Sequence, residues 1–392
     1  FIRHAAQAQA LENAGNYSEA ITIWEMLLAW AEEHLGQENP NTATSLNNLA
    51  LLYDKQGSYK KAAPLYIRAL AIFEKALGPE DPDTVKTIDN LAVLYSEQGD
   101  YKKAEPLHIR ALTIREKVLG NQHPETANSL NNLAGLYSEQ GSYDKAEQLY
   151  IRALAIREKV LGNQHPETAS SLNNLAGLYR HKGSFDKAIL LETRALAIRE
   201  KTLGHEHPDT ASSLNSLALL YLEQGRYSEA EPLYIRSLAI REKALGPQHP
   251  DTANSLNNLA DLYRRQGAFD KAIPLAIRAL GIREKTLGSE HPDTADSLTG
   301  LAVLYNEQGS YSKAEPLYIR ALAINEKALG PDHPSTATSL GNLARLYISH
   351  GDYGKAEPLY LRALAINEKT LGPEHPDTAN ILNNLAALYD DQ

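Results

Sequence analysis

The chain has 392 residues, 43% of them hydrophobic and 22% charged, with a formal net charge of −10 and no cysteine. That length exceeds what one compact core commonly organises, so several domains or a repeat array is expected, and the composition is that of a folded chain. The negative charge argues against non-specific binding to nucleic acid or anionic membrane, and the lack of cysteine removes disulfides, thiolate nucleophiles and cysteine-based zinc sites.

No run of about 18 apolar residues occurs, and the amino terminus FIRHAAQAQA lacks the apolar centre of a signal peptide, so a cytoplasmic protein without a membrane span is expected. The chain starts at Phe1 rather than Met and ends inside a repeating pattern, which reads as a fragment of something longer.

Two registers run from end to end. Proline with Thr two residues later recurs every 42 residues, from Pro40, Pro82 and Pro124 to Pro376. Glycine with Tyr or Phe two residues later recurs in phase, from Gly15 and Gly57 to Gly351. Neither register is interrupted, so residues 1–392 are expected to form a single repeat array.

The unit from Pro124 to His165 shows what is repeated. Leu130, Leu133, Ala134 and Tyr137 keep the i, i+3, i+4, i+7 spacing of an amphipathic helix, helix A, over about residues 124–140. Gly141 closes it and Ser142 is placed to cap the next helix. Helix B carries Tyr143, Ala146, Leu149, Tyr150, Ala153, Leu154, Ile156 and Leu161 as its stripe, and Gly162 stops it. Pro64, Pro106, Pro232, Pro274, Pro316 and Pro358 fall inside helix B and predict a slight bend rather than an end, because the apolar pattern continues past them. Neither helix buries its stripe alone, so the pairs must stack as nine A/B pairs and a last helix A at about 377–392. That helix leaves Leu382, Leu385, Ala386 and Tyr389 without a helix B, which predicts fraying or end-to-end self-association.

These residues resemble the tetratricopeptide repeat: Leu130-x2-Leu133-Ala134-x2-Tyr137, followed by Ala146-x3-Tyr150. The period is 42 where the common form has 34, and Glu158 stands where that form ends helix B with proline. RALAIREKVLG followed by HPETANSLNNLAGLY is similar to the longer repeats of the kinesin light chain, and to arrays attached to bacterial signalling ATPases and caspase-like proteases. No heptad region like that of the light chain is present. The resemblance implies an all-α, right-handed superhelical solenoid of helix-turn-helix repeats whose A helices line the concave face, and a non-catalytic scaffold binding protein or extended peptide. The alternatives are the sensor arm of a larger signalling protein and a self-associating spacer.

On a helical wheel, Asn132 lies at about 200° from Leu130 and points away from the core. Its in-phase copies Asn48, Asn90, Asn174, Asn258, Asn342 and Asn384 make a ladder of amides able to pair with the main chain of an extended peptide, against the plainer reading of inherited structural residues. Asn131 lies on the flank, where a bond to the next repeat is expected. Arg180, His181, Arg264, Arg265 and Arg345 make the later wall locally basic beside Glu97, Glu139, Glu223 and Glu307, which points to an acidic peptide, against a mixed solvated surface.

The histidines ahead of proline, from His123 to His375, come one per repeat and read as helix caps rather than metal ligands. The recurrent Arg, Glu and Lys positions of helix B read as exposed i, i+3 or i+4 pairs. No nucleotide-binding loop, nucleophile elbow or zinc-protease motif occurs, so neither cofactor nor catalysis is expected.

Overall fold

A computed structural model describes residues 2–390. Among these residues there are nineteen helices and no strand. They are α1 (Ile2–Asn13), α2 (Tyr17–His34), α3 (Pro40–Lys55), α4 (Tyr59–Ala76), α5 (Pro82–Glu97), α6 (Tyr101–Val118), α7 (Pro124–Glu139), α8 (Tyr143–Val160), α9 (Pro166–His181) and α10 (Phe185–Thr202). There follow α11 (Pro208–Glu223), α12 (Tyr227–Ala244), α13 (Pro250–Arg265), α14 (Phe269–Thr286), α15 (Pro292–Glu307), α16 (Tyr311–Ala328), α17 (Pro334–Ser349), α18 (Tyr353–Thr370) and α19 (Pro376–Asp390). Nine pairs and a closing odd helix are what the period predicts; Asp391 and Gln392 lie outside the described residues. None of these helices is long and apolar enough to cross a membrane. The residues fall into two compact units, Phe1–Ser255 and Leu256–Gln392, divided within α13.

Each long loop repeats one local device. Ahead of α7, Gly120 adopts φ 91°, open to glycine without steric cost, and the buried Thr126 hydroxyl donates to the Gly120 carbonyl at 2.9 Å. His123 caps the helix: its Nδ1 accepts from the Glu125 N–H at 3.1 Å, with Pro124 in the first turn. His165, His207, His249, His291, His333 and His375 do the same, and Asn39 and Asp81 use a side-chain oxygen in that place. The recurring Pro-x-Thr and Leu-Gly are thus the two ends of one loop.

The short turns differ from expectation. Ser142 occupies the position ahead of α8 but makes no side-chain cap bond. Its N–H donates back to the Tyr137 carbonyl at 2.8 Å and the N–H of Gly141 donates to Ser138, so both residues close α7, while the Ser142 carbonyl accepts from the Ala146 N–H at 3.1 Å and opens α8 through the main chain alone. The prolines within the even helices interrupt none of them: α4, α6, α12, α14, α16 and α18 run their full 18 residues through Pro64, Pro106, Pro232, Pro274, Pro316 and Pro358.

In unit 1 the predicted stripe is the core. Leu130 and Ala134 are fully buried, Leu133 nearly so, and Ala146, Ala153 and Ile156 answer them from α8. Unit 2 repeats this with Leu298, Leu301, Ala302, Ala314, Ala321 and Ile324. In its last helix Ile381, Leu385 and Leu388 are buried against the preceding pair, while Leu382 and Tyr389 stay exposed. The expectation of an uncovered Leu385 is therefore corrected, since the preceding pair, chiefly α18, covers it from the N-terminal side.

The charged positions are also corrected. The recurrent arginines of the even helices pair between repeats rather than within one helix, because stacking brings copies of a position side by side. Arg68, Arg110, Arg152, Arg194 and Arg236 of unit 1 pair with Glu32, Glu74, Glu116, Glu158 and Glu200 of the preceding repeat. Arg157, Arg199 and Arg241 are buried and reach forward to Ser171, Ser213 and Ser255 of the next odd helix at 2.7, 2.6 and 2.8 Å. In unit 2, Arg283 makes the same bond to Ser297 at 3.0 Å.

Candidate binding site on the odd-numbered helices

The odd helices form a wall of their own: in unit 1, α3 touches α5, α5 touches α7, α7 touches α9 and α9 touches α11, and in unit 2 α15 touches α17. The flank asparagines stitch these contacts. Asn131 donates to Ser171 at 3.3 Å and Asn257 to Ser297 at 2.9 Å, which is the inter-repeat role expected for them.

The outward asparagines are not one uniform ladder. Asn48 and Asn132 are half-buried and Asn174 is exposed in unit 1, and Asn258 is half-buried in unit 2. Asn90 donates to Asn47 at 3.1 Å, and Asn342 accepts from Arg345 at 3.2 Å. Asn90 and Asn342 are thus engaged within the protein. The arginines are engaged too. Arg180 pairs with Glu223 of the next repeat at 2.8 Å; in unit 2, Arg264 pairs with Asp261 and Glu307 at 2.8 and 2.5 Å, and Arg265 with Asp261 at 3.1 Å. Arg180, Arg264 and Arg265 already hold carboxylates and Arg345 holds the Asn342 amide oxygen, so the wall gives an acidic ligand little to pair with.

The structure instead opens a cavity of about 370 Å³ in unit 1, walled by α7, α9 and α11, with Tyr150 of α8 and Glu192 of α10 at its base. Asn174, Arg180 and His181 line it; Arg264, Arg265 and Arg345 belong to unit 2 and do not. Its origin is sequence-local. Gly135 and Gly177 occupy a place that Leu51, Val93 and Leu219 fill in the other repeats of the unit. Neither glycine has a positive φ, so the backbone does not require them. A Cβ at Gly177 would meet nothing within 4 Å, and one at Gly135 would meet only the Tyr150 hydroxyl at 3.6 Å. Two helix-interior glycines each forgo about 1 kcal/mol relative to alanine, and what they leave is space.

Glu192 is the second departure. Where the in-phase Tyr66, Tyr150 and Tyr234 stand, this repeat places a carboxylate that is 0% exposed. Asn173 donates to Oε2 at 2.7 Å, while Oε1 has no hydrogen-bond partner. Burial raises the Glu192 carboxyl above the ordinary range, opposed by the Asn173 amide, the nearby Ser213 hydroxyl and the Arg199 charge. Glu139, accessible from the groove yet hemmed in by protein, is pushed up to about 7 by desolvation, with the Glu97 charge adding to it. Glu192 escaped the sequence reading because attention to the outward helix face leaves helix B aside. The signal was present: the Ala-x3-aromatic pattern becomes Ala188-x3-Glu192.

A family model described as tetratricopeptide repeat matches residues 2–75, 55–117, 83–159, 130–201, 193–243, 209–285, 261–327, 301–369 and 349–392. No curated protein matches the chain. Among solved structures, the nearly identical repeats of a putative kinesin light chain from Podospora anserina are 35% identical, over 53% of this chain and 98% of that one, with a TM-score of 0.44. BtubC (BKLC) from P. vanneervenii is 28% identical over 59% and 91%, with a TM-score of 0.46. A Rap protein complexed with competence and sporulation factor is 16% identical over 94% and 98%, with a TM-score of 0.62, which is a likeness of fold.

Proposed function

We propose that this chain, which belongs to the tetratricopeptide repeat family, is a non-catalytic protein-binding scaffold that holds an extended polypeptide along its odd-helix wall. The observation that carries the reading is the cavity between α7, α9 and α11, where two repeats surrender a side chain on that wall and one replaces a buried tyrosine by Glu192, while their leucine and alanine core positions stay as in the neighbours. Cavities of this size with a few convergent polar groups are the usual form of a binding site. Asn132 and Asn174 stand on the same two helices, and their amides offer both donors and an acceptor to a peptide main chain whatever its side chains.

The test is selection of a phage-displayed library of random 12-residue peptides on the full chain and on an Asn132→Ala/Asn174→Ala variant. Peptides retained by the parent and lost by a variant of the same melting temperature support the reading. Peptides retained equally by both assign the asparagines to the scaffold.

A further inference from the structure

The geometry points to a defined subsite: the cavity between α7, α9 and α11 receives a basic side chain, Lys or Arg, of the bound polypeptide, with the Glu192 carboxylate at its base as the acceptor. This rests on the peptide-binding reading above and names the chemistry of one of its contacts.

Glu192 is fully buried, lines the cavity, and has one oxygen anchored by Asn173 and the other without a partner. A buried acceptor left unmatched is unfavourable, and a charged acceptor more so. An ammonium or guanidinium group entering the cavity supplies the missing donor and the missing charge together, the stronger class of hydrogen bond. The rim agrees with the base. Glu139 adds a second carboxylate, and Arg180, the cation that would repel a basic ligand, is already paired with Glu223.

A structural role for Glu192 as counter-ion to Arg199 is the competing account, and the other repeats of the unit argue against it. Arg199 donates to Ser213 and to the Asp209 carbonyl. Arg157 and Arg241 make the matching bonds, to Ser171 and Glu167 and to Ser255 and Asp251, with Tyr150 and Tyr234 in the Glu192 position. Arg157 also meets the Glu167 carboxylate at 2.9 Å, but that group comes from the next odd helix and not from the Glu192 position, so a buried arginine is accommodated with tyrosine in that position. What distinguishes the Glu192 repeat is that its acidic base lies under the open space at Gly177.

The experiment uses the peptides selected above, resynthesised with a fluorescent label. The expected result is one basic residue at a fixed place in the selected sequences, whose replacement by citrulline or norleucine weakens binding at least about tenfold, the scale of a charge-assisted hydrogen bond. Glu192→Gln should reduce that discrimination to about threefold or less. Glu192→Tyr, which installs the residue of the neighbouring repeats and so keeps the fold, should abolish it. Gly177→Leu, the residue found at Leu51 and Leu219, should exclude the side chain. Selected peptides with no recurrent basic residue, or discrimination that survives in Glu192→Gln, overturn the subsite and leave the groove reading standing. If the folded parent retains no peptide at all, both fall.

Discussion

The pair α9/α10 and the pair α11/α12 lie next to each other in unit 1, have the same length and the same loops, and differ in what they show to the wall. Gly177 faces Leu219 in register, Asn174 faces Ser216, and Glu192 faces Tyr234. Beneath these three differences Leu172, Leu175, Ala188 and Ala195 correspond to Leu214, Leu217, Ala230 and Ser237, all buried. The contrast separates two kinds of position. The leucine and alanine positions are held by every neighbour through stacking, whereas Gly177 and Asn174 border open space and Glu192 lies buried beside them, and these three change while the first set stays in place.

The largest effect should fall on both pairs alike. Leu175 and Leu217 are 4% and 5% exposed. Truncation of either to alanine is expected to cost about 2–5 kcal/mol, measured by urea unfolding. Unequal losses well outside that range would mean that the open pair is also a looser scaffold, and the separation of roles would fail.

Next in size is the carboxylate itself. Because the Glu192 carboxyl is raised in the folded state, folding favours its protonated form, and the stability it allows is lost as pH rises through the raised value. Glu192→Gln should match the parent in acid and exceed it increasingly toward neutral and alkaline pH, by an amount on the order of the 1–3 kcal/mol of a buried unsatisfied polar group. The check is the difference in Tm between the two proteins as a function of pH. The same substitution has no counterpart at Tyr234, whose repeat should show no such divergence when Tyr234→Phe is compared with the parent from acid to neutral pH.

The architecture was legible because a period repeated over the whole chain averages out local ambiguity: the helix pairs, the glycine stops and the buried Leu130 and Leu133 all follow from spacing. The flank role of Asn131 and the capping role of the histidines were legible for the same reason. The charged groups were not. An i, i+4 rule sees one helix, whereas Arg157 meets Ser171 and Arg180 meets Glu223 only once repeats are stacked. Glu192 was hidden differently, since its position also departs from tyrosine at His108 and Ala276, and such a departure looks like drift until the space beside it is known.

A smaller effect concerns the loops that both pairs share. His165 and His207 cap α9 and α11 through Nδ1, at 3.2 and 3.1 Å. Removal of either imidazole as alanine should cost about 1 kcal/mol, and His165→Asn should restore most of it, since Asn39 already performs that role. Equal losses for alanine and asparagine would show that the ring is held for its packing.

The smallest effect has the most informative sign. Gly177 and Gly204 lie in one repeat, but Gly204 has φ 94° while Gly177 is an ordinary helical residue with nothing within 4 Å of a Cβ. Gly204→Ala should therefore destabilise, because an L-residue is strained at that φ. Gly177→Ala should stabilise, by about 0.5–1 kcal/mol, because alanine restricts the unfolded chain and suits the helix. A protein that forgoes this gain at Gly177, where the backbone asks for nothing, keeps the volume for another reason. If the alanine variant is stabilised and still binds selected peptides while Gly177→Leu does not, that reason is the occupant of the cavity. A destabilised Gly177→Ala would instead place the glycine among the structural residues and make the open space incidental.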